Sequence, residues 1–336
     1  MNKFVVFDTN AYRVSVRGKS AEEVMSYFSH IRELEIKKNI KAICHIFTGY
    51  ELLPYLSKPY KSDSFIECLK IYFSFGIYKS RSYTECYKSI IALGTHCWDD
   101  STTPKGIISI PQTSLLLTNT FFNGRRNTLT EGLNQNLIGF IQAIKVQGKS
   151  FIKKQRETLE KIEEDIALKE RDFADRISFL ISELSKIIVG MNSGKDRKTI
   201  KKLTIKAFNG EEFRTVMAKA LLSIYASTIS VTLSEKELSD GAKILNEKFP
   251  IAAGFHTWVC HEVFSKNIDL YSKKSQNKRW NWLWDAEISC VISESLIGGR
   301  ETLLVTGDGP MTDVISKYGY QDRVMTLEKY LQLIET

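Results

Sequence analysis

Short, continuous apolar runs stand near both ends of the chain, and helical periodicity fills the space between them. The first run is Phe4-Val5-Val6-Phe7. A strand covered on both faces reads as such a run, because neither face alternates to water. It closes in a polar turn, Asp8-Thr9-Asn10. A helical stretch from Glu22 to Lys38 follows, then a second apolar run, Ala42-Ile43-Cys44-His45-Ile46. Strand, helix, strand is the opening of a parallel α/β sheet. The far end repeats the pattern. From Asp285 apolar residues recur at Ile288, Val291, Ile292 and Leu296, predicting a helix that Gly298-Gly299 stops. Leu303-Leu304-Val305 reads as a buried strand closing in Thr306-Gly307-Asp308. A helix from near Thr312, a short strand near Val324 and a last helix from Thr326 complete it.

The middle differs. From residue 60 to residue 250 the pattern is helical, apart from a candidate strand at Ile107 to Ile110. Residues 150–190 form the longest run, with apolar positions at 159, 162, 166, 173, 177, 180, 184 and 187. The intervals are coiled-coil-like, with Glu170 interrupting the seam. Such a helix spans about 60 Å. It suits either a helical hairpin packed within the chain or an intermolecular coiled coil.

Composition adds bounds. Apolar residues at 43% and charged residues at 26% allow a sizeable core and argue against disorder. A net charge of +8 favours a polyanionic partner. Basic clusters lie at Arg125-Arg126, from Lys195 to Lys206, at Lys273-Lys274 and at Lys278-Arg279, and the last leads directly to Asp285. Trp280, Trp282 and Trp284 alternate beside it, placed either to stack nucleobases or to anchor helices on the sheet. The six cysteines show no Cys-x-x-Cys spacing and read as reduced core residues. His256 and His261 are five apart and do not share a helical face, so they do not read as a metal pair. The N-terminus lacks a signal-peptide pattern and no window approaches the roughly 20 apolar residues of a membrane span. The expectation is a soluble, cytoplasmic protein with no membrane partner.

Four acids carry the candidate chemistry. Asp8 and Asp308 each follow a buried strand, at the edge where open α/β sheets bind ligands. Glu51 follows the second strand closely, and Asp285 opens a helix. Carboxylates a few ångströms apart raise one another's pKa, a penalty that a hard cation such as Mg²⁺ or Mn²⁺ removes. Each acid also has a plain structural role. Thr48-x-x-Glu51 matches a capping box, Asp285 and Asp313 suit helix starts, and Asp8 can stabilise its turn.

The pieces together resemble the PIN-domain ribonucleases. These are a strand closing in Asp8-Thr9-Asn10, Glu51 after the next strand, Asp285-Ala286-Glu287-Ile288 at a helix start, and a strand closing in Thr306-Gly307-Asp308, in the family's order. The resemblance implies a PIN-like three-layer α/β domain with a parallel sheet, formed by residues 1–58 and 250–336. A mostly α-helical insertion at 59–249, containing the long helix, interrupts it. It implies metal-dependent endonuclease activity, with RNA favoured over DNA. Asp8, Glu51, Asp285 and Asp308 would be the catalytic acids, with Asp313 as a further metal ligand and Asn10 and Thr306 orienting groups around them. Lys273, Lys274, Lys278, Arg279 and Trp284 are the candidate nucleic-acid contacts. An inhibitory or targeting protein partner and a homodimer are further expectations of the resemblance. Two other readings stay open: a catalytically silent PIN-like scaffold that recruits partners through its insertion, and a phosphohydrolase of small esters.

Overall fold

The computed structural model describes residues 3–43, 45–52, 83–97, 139–141, 143–228, 231–292 and 301–336. The candidate strand at Ile107 to Ile110, the Arg125-Arg126 pair and the Leu296 to Gly299 stretch lie outside the described residues.

Among the described residues four parallel strands form one sheet: β1 (Lys3–Phe7), β2 (Ile40–Ala42), β3 (Glu301–Val305) and β4 (Val324–Met325), in the order β2-β1-β3-β4. The two long apolar runs are its central pair, in register from Lys3 opposite Glu301 to Phe7 opposite Val305. Alternation along them separates two cores. Phe4, Val6 and Leu304 point into one, Val5, Phe7, Leu303 and Val305 into the other. That is why both runs are apolar without a break: each face of the sheet is covered.

On the second face lie α1 (Thr9–Ser15), α2 (Ala21–Lys37), α4 (Tyr83–Cys97) and the last helix, α14 (Leu327–Glu335). Helix α2 starts in a capping box between Ser20 and Glu23 and buries Val24, Phe28, Ile31 and Glu35 on one stripe. The acid on that stripe needs partners, and it has them. His96 Nε2 lies 2.8 Å from Glu35 Oε1, and the Tyr330 hydroxyl donates to the same oxygen at 2.5 Å. Tyr12 reaches the other ring nitrogen of His96 at 3.0 Å. Burial opposes the imidazolium, but the Glu35 carboxylate outweighs it, so His96 is held above its usual pKa.

The first face is covered by α6 (Arg156–Met191), α7 (Arg197–Phe208), α8 (Glu211–Thr228), α9 (Glu235–Lys248), α10 (Pro250–Ser265), α12 (Trp282–Ser289) and α13 (Gly309–Lys317). A short helix α5 (Lys149–Lys154) precedes α6 and α11 (Lys273–Lys278) precedes α12; α3 (Ile46–Leu52) follows β2. Helix α6 has 36 residues, about 54 Å at about 1.5 Å per residue. Its Phe173 and Ile177 sink into the chain's own core. Glu170, the polar interruption of the seam, accepts the indole N–H of Trp284 at 2.7 Å. Helix α10 is buried nearly all round and packs against α12 and α13. Gly254 is the reason it can lie so near α13: a Cβ there would meet the Tyr318 ring at 2.3 Å. No described helix is long and apolar enough to cross a membrane.

Helix α12 corrects one expectation. It does not begin at Asp285 but at Trp282, so Asp285 sits in its first turn, and it ends at Ser289. The Ser289 hydroxyl and Cys290 thiol turn back onto the carbonyls of Asp285 and Ala286, and Val291 and Ile292 continue as buried turn residues.

Candidate active site

The carboxyl ends of β1 and β3 adjoin, so the residues that follow them meet. The Asp8 amide extends the ladder to Val305 O at 3.0 Å, and the Thr306 amide reaches Met325 O at 2.9 Å. Asp8 then turns the chain into α1 and accepts the Ala11 amide at 2.6 Å. Asp308 does the same for α13, accepting the Met311 amide at 2.9 Å. Both are helix N-caps, which alone stabilise by about 1 kcal/mol each.

Thr306 joins the two acids. Its hydroxyl donates to Asp8 Oδ2 at 2.5 Å and accepts the Asp308 amide at 2.9 Å. Glu51, 8% exposed on α3, accepts the Thr9 hydroxyl at 2.5 Å. Thr48 does not cap Glu51: its hydroxyl donates to Phe7 O at 3.4 Å, and it lies inside the helix. The capping-box alternative for Glu51 is therefore removed. Thr9 is the site residue that the chain pattern did not single out; it lies beside Asp8 in the same polar turn.

The charges feel one another. Burial pushes Asp8 up to about 7, against the hydrogen bonds from Thr306 and Ala11, and the charges of Glu51 and Asp308 add to the rise. Asp308 is raised too, by burial first and then by Glu51 and Asp313. Asp313 itself is exposed one turn along α13, and Asn10 is exposed in the first turn of α1. Asp285 is half-buried on a helix that packs against both α3 and α13, the elements bearing Glu51 and Asp308. Asp8, Glu51 and Asp308 are thus brought together electrostatically, and the helix of Asp285 is brought to their border.

The donor set has the chemistry a hard divalent cation takes: carboxylate oxygens, on buried Asp8 and Glu51 and half-buried Asp308. Among the described residues, no three His, Cys, Asp or Glu side chains stand as a ready-made cage. Mg²⁺ keeps several waters and needs only one or two carboxylates, so a site of Asp8 and Asp308 with water completing the shell fits it. One oxygen of Asp308, Oδ2, has no hydrogen-bond partner among the described residues.

The neighbouring basic and aromatic candidates divide. Lys273 and Lys274 are exposed on α11. Arg279 is half-buried, donating to Ser275 Oγ at 2.9 Å and lying over the Trp282 ring. The side chain of Lys278 lies outside the described residues. Trp284 is only 2% exposed, and its ring packs on Phe47 while its N–H is spent on Glu170. Its expected role as a base-stacking contact is corrected: it anchors α12 to α3 and α6. Trp282 packs on Trp258, and Trp280 donates to Leu270 O at 2.8 Å.

Compared with models of protein families, with curated proteins and with solved structures, the chain matches none of them.

Proposed function

We propose that the protein is a PIN-like, divalent-metal-dependent endonuclease that hydrolyses phosphodiester bonds of single-stranded nucleic acid, RNA in preference. The observation that carries this is Asp8. As a helix cap it could be Ser or Asn at no electrostatic cost. It is instead a buried carboxylate raised to about 7, with Glu51 and Asp308 adding to the rise. Such a cluster is unfavourable alone and favourable around a cation. Asp8, Asp308 and Glu51 would hold Mg²⁺ or Mn²⁺, with Asp285 approaching from α12 and Asp313 from the rim.

A bound divalent ion would supply charge stabilisation at the phosphate and lower the pKa of a water. The chain's own groups do the positioning. Thr306 fixes Asp8 Oδ2 and the Asp308 backbone through a single hydroxyl, and Thr9 fixes Glu51. These bonds hold the acids on rigid elements, the ends of the two central strands and a packed helix.

The test is cleavage of labelled single-stranded RNA and DNA in Mn²⁺ or EDTA by wild type and by an Asp8→Asn/Asp308→Asn variant. Wild type should cut in Mn²⁺ only, and the variant should be slower by about 100-fold or more, the scale of losing a charge-stabilising group. Equal rates, or no cutting by either, would sink the reading. One observation favours a second reading, the catalytically silent scaffold: both Asp8 oxygens are already hydrogen-bonded. A wild type that neither cuts nor gains thermal stability from Mn²⁺ would establish it.

A further inference from the structure

Helix α7 carries the sequence Arg-Lys-Thr-Ile-Lys-Lys-Leu-Thr-Ile-Lys-Ala-Phe, five cations and no acid. Its inner side is settled: Thr204 and Phe208 are buried, and it packs on α6 and α10. Arg197, Lys198, Lys202 and Lys206 are exposed on the outer side. Arg197 and Lys201, Lys198 and Lys202, and Lys202 and Lys206 are each four apart. Like charges at that spacing destabilise a helix by a few tenths of a kcal/mol per pair. Among the described residues none of the five forms an ion pair that would relieve this. By contrast Lys186 on α6 and Lys219 on α8 have acids beside them, Glu183 and Glu235.

The basic surface continues. Lys201 reaches Asn267 Oδ1 at 3.4 Å, just past the end of α10. From there the chain runs through exposed Lys273 and Lys274 into α12, the helix of Asp285. On the inside α10, against which α7 packs, itself packs on α12 and α13.

We infer that the outer face of α7, with Lys273 and Lys274, is a phosphate-backbone tract that binds a single nucleic-acid strand and leads it toward the carboxylate rim. An unpaired run of cations on a rigid helix is the footprint of a polyanion, and a strand of phosphates relieves several like-charge pairs at once. The destination of the strand rests on the nuclease reading; the binding itself does not.

The experiment is fluorescence anisotropy of a labelled single-stranded RNA oligonucleotide on the full chain in EDTA, over a salt series. An Arg197→Gln/Lys198→Gln/Lys202→Gln/Lys206→Gln variant should bind at least about 10-fold more weakly, with a slope of log K against log salt shallower by about 2 to 3. A charge-matched control, Lys37→Gln/Lys38→Gln/Lys317→Gln/Lys329→Gln, should bind like wild type. Thermal melting of the α7 variant should not fall, since like-charge repulsion has been removed. Wild type that binds the oligonucleotide in EDTA but does not cut it in Mn²⁺ would overturn the nuclease reading and leave the tract standing. The tract is overturned if the α7 variant binds like wild type or if the control loses as much. It is equally overturned if wild type ignores RNA and binds phosphatidylserine vesicles instead.

Discussion

Two buried acids, Glu35 and Asp8, have surroundings of opposite sign. Glu35 has its donors on one oxygen, Oε1, where His96 and Tyr330 converge, while Oε2 is buried without a hydrogen-bond partner among the described residues. Asp8 also receives hydrogen bonds, but the charged groups acting on it are further acids, Glu51 and Asp308. A fold can bury a carboxylate by supplying the counter-charge from within, and around Glu35 it does. At Asp8 the chain supplies more negative charge, and the carboxyl is held toward its protonated form instead. The comparison separates an acid that serves the fold from one that the fold has to tolerate.

The largest effect that can break this contrast is at Glu35. Removing one member of a buried ion pair strands the other, at about 3–5 kcal/mol. Glu35→Ala should therefore lose that much in urea unfolding, and a loss under about 1 kcal/mol would mean the pair is not holding α2, α4 and α14 together.

The next effect has the opposite sign. Asp8 has a folded pKa of about 7 against an ordinary value of 3.8. A group raised on folding stabilises below its unfolded pKa, and that contribution is lost as pH rises through the folded value. Without divalent metal, wild type should lose stability between about pH 4 and about pH 7 from this residue. Asp8→Asn should then be more stable than wild type at about pH 8, by at most about 4 kcal/mol, with the gain vanishing near about pH 4. Melting curves across pH read it; an Asp8→Asn variant less stable than wild type at the alkaline end would erase the contrast with Glu35.

The smallest effect sharpens it. Glu51→Gln removes one of the two charges that push Asp8 upward. The Asp8 carboxyl titration, followed by carbon-13 NMR, should move down by less than about one unit. No movement would mean that burial alone sets it and that Glu51 is not a member of the cluster.

What the chain pattern revealed follows from what was buried. The apolar runs at residues 4–7 and 303–305 are legible because both faces of the central strands are covered. Asp8 and Asp308 are legible because they are the first acids beyond those runs. The start of α12 was not, because no side chain caps it at Asn281; the packing of Trp282 and Trp284 sets where it begins. The Glu35 cluster left a signal, an acid at the fourth position of the stripe Val24, Phe28, Ile31, Glu35. Its meaning depended on His96 and Tyr330, far along the chain. Thr9 stayed silent for the same reason, because its acceptor, Glu51, becomes visible only once α3 is in place.

The pairing of β1 with β3 also orders events in time. Asp8 is synthesised long before Asp308, and the Thr306 hydroxyl that joins them reaches Asp8 across 298 positions. While the nascent chain is still growing, β1 has no β3 beside it, and the rim exists only as a half. Loop closure over such a span is slow compared with local helix formation. Everything between the two acids must therefore leave the ribosome before they can gather. A chain that stalls before residue 301 carries the basic helix but no assembled rim.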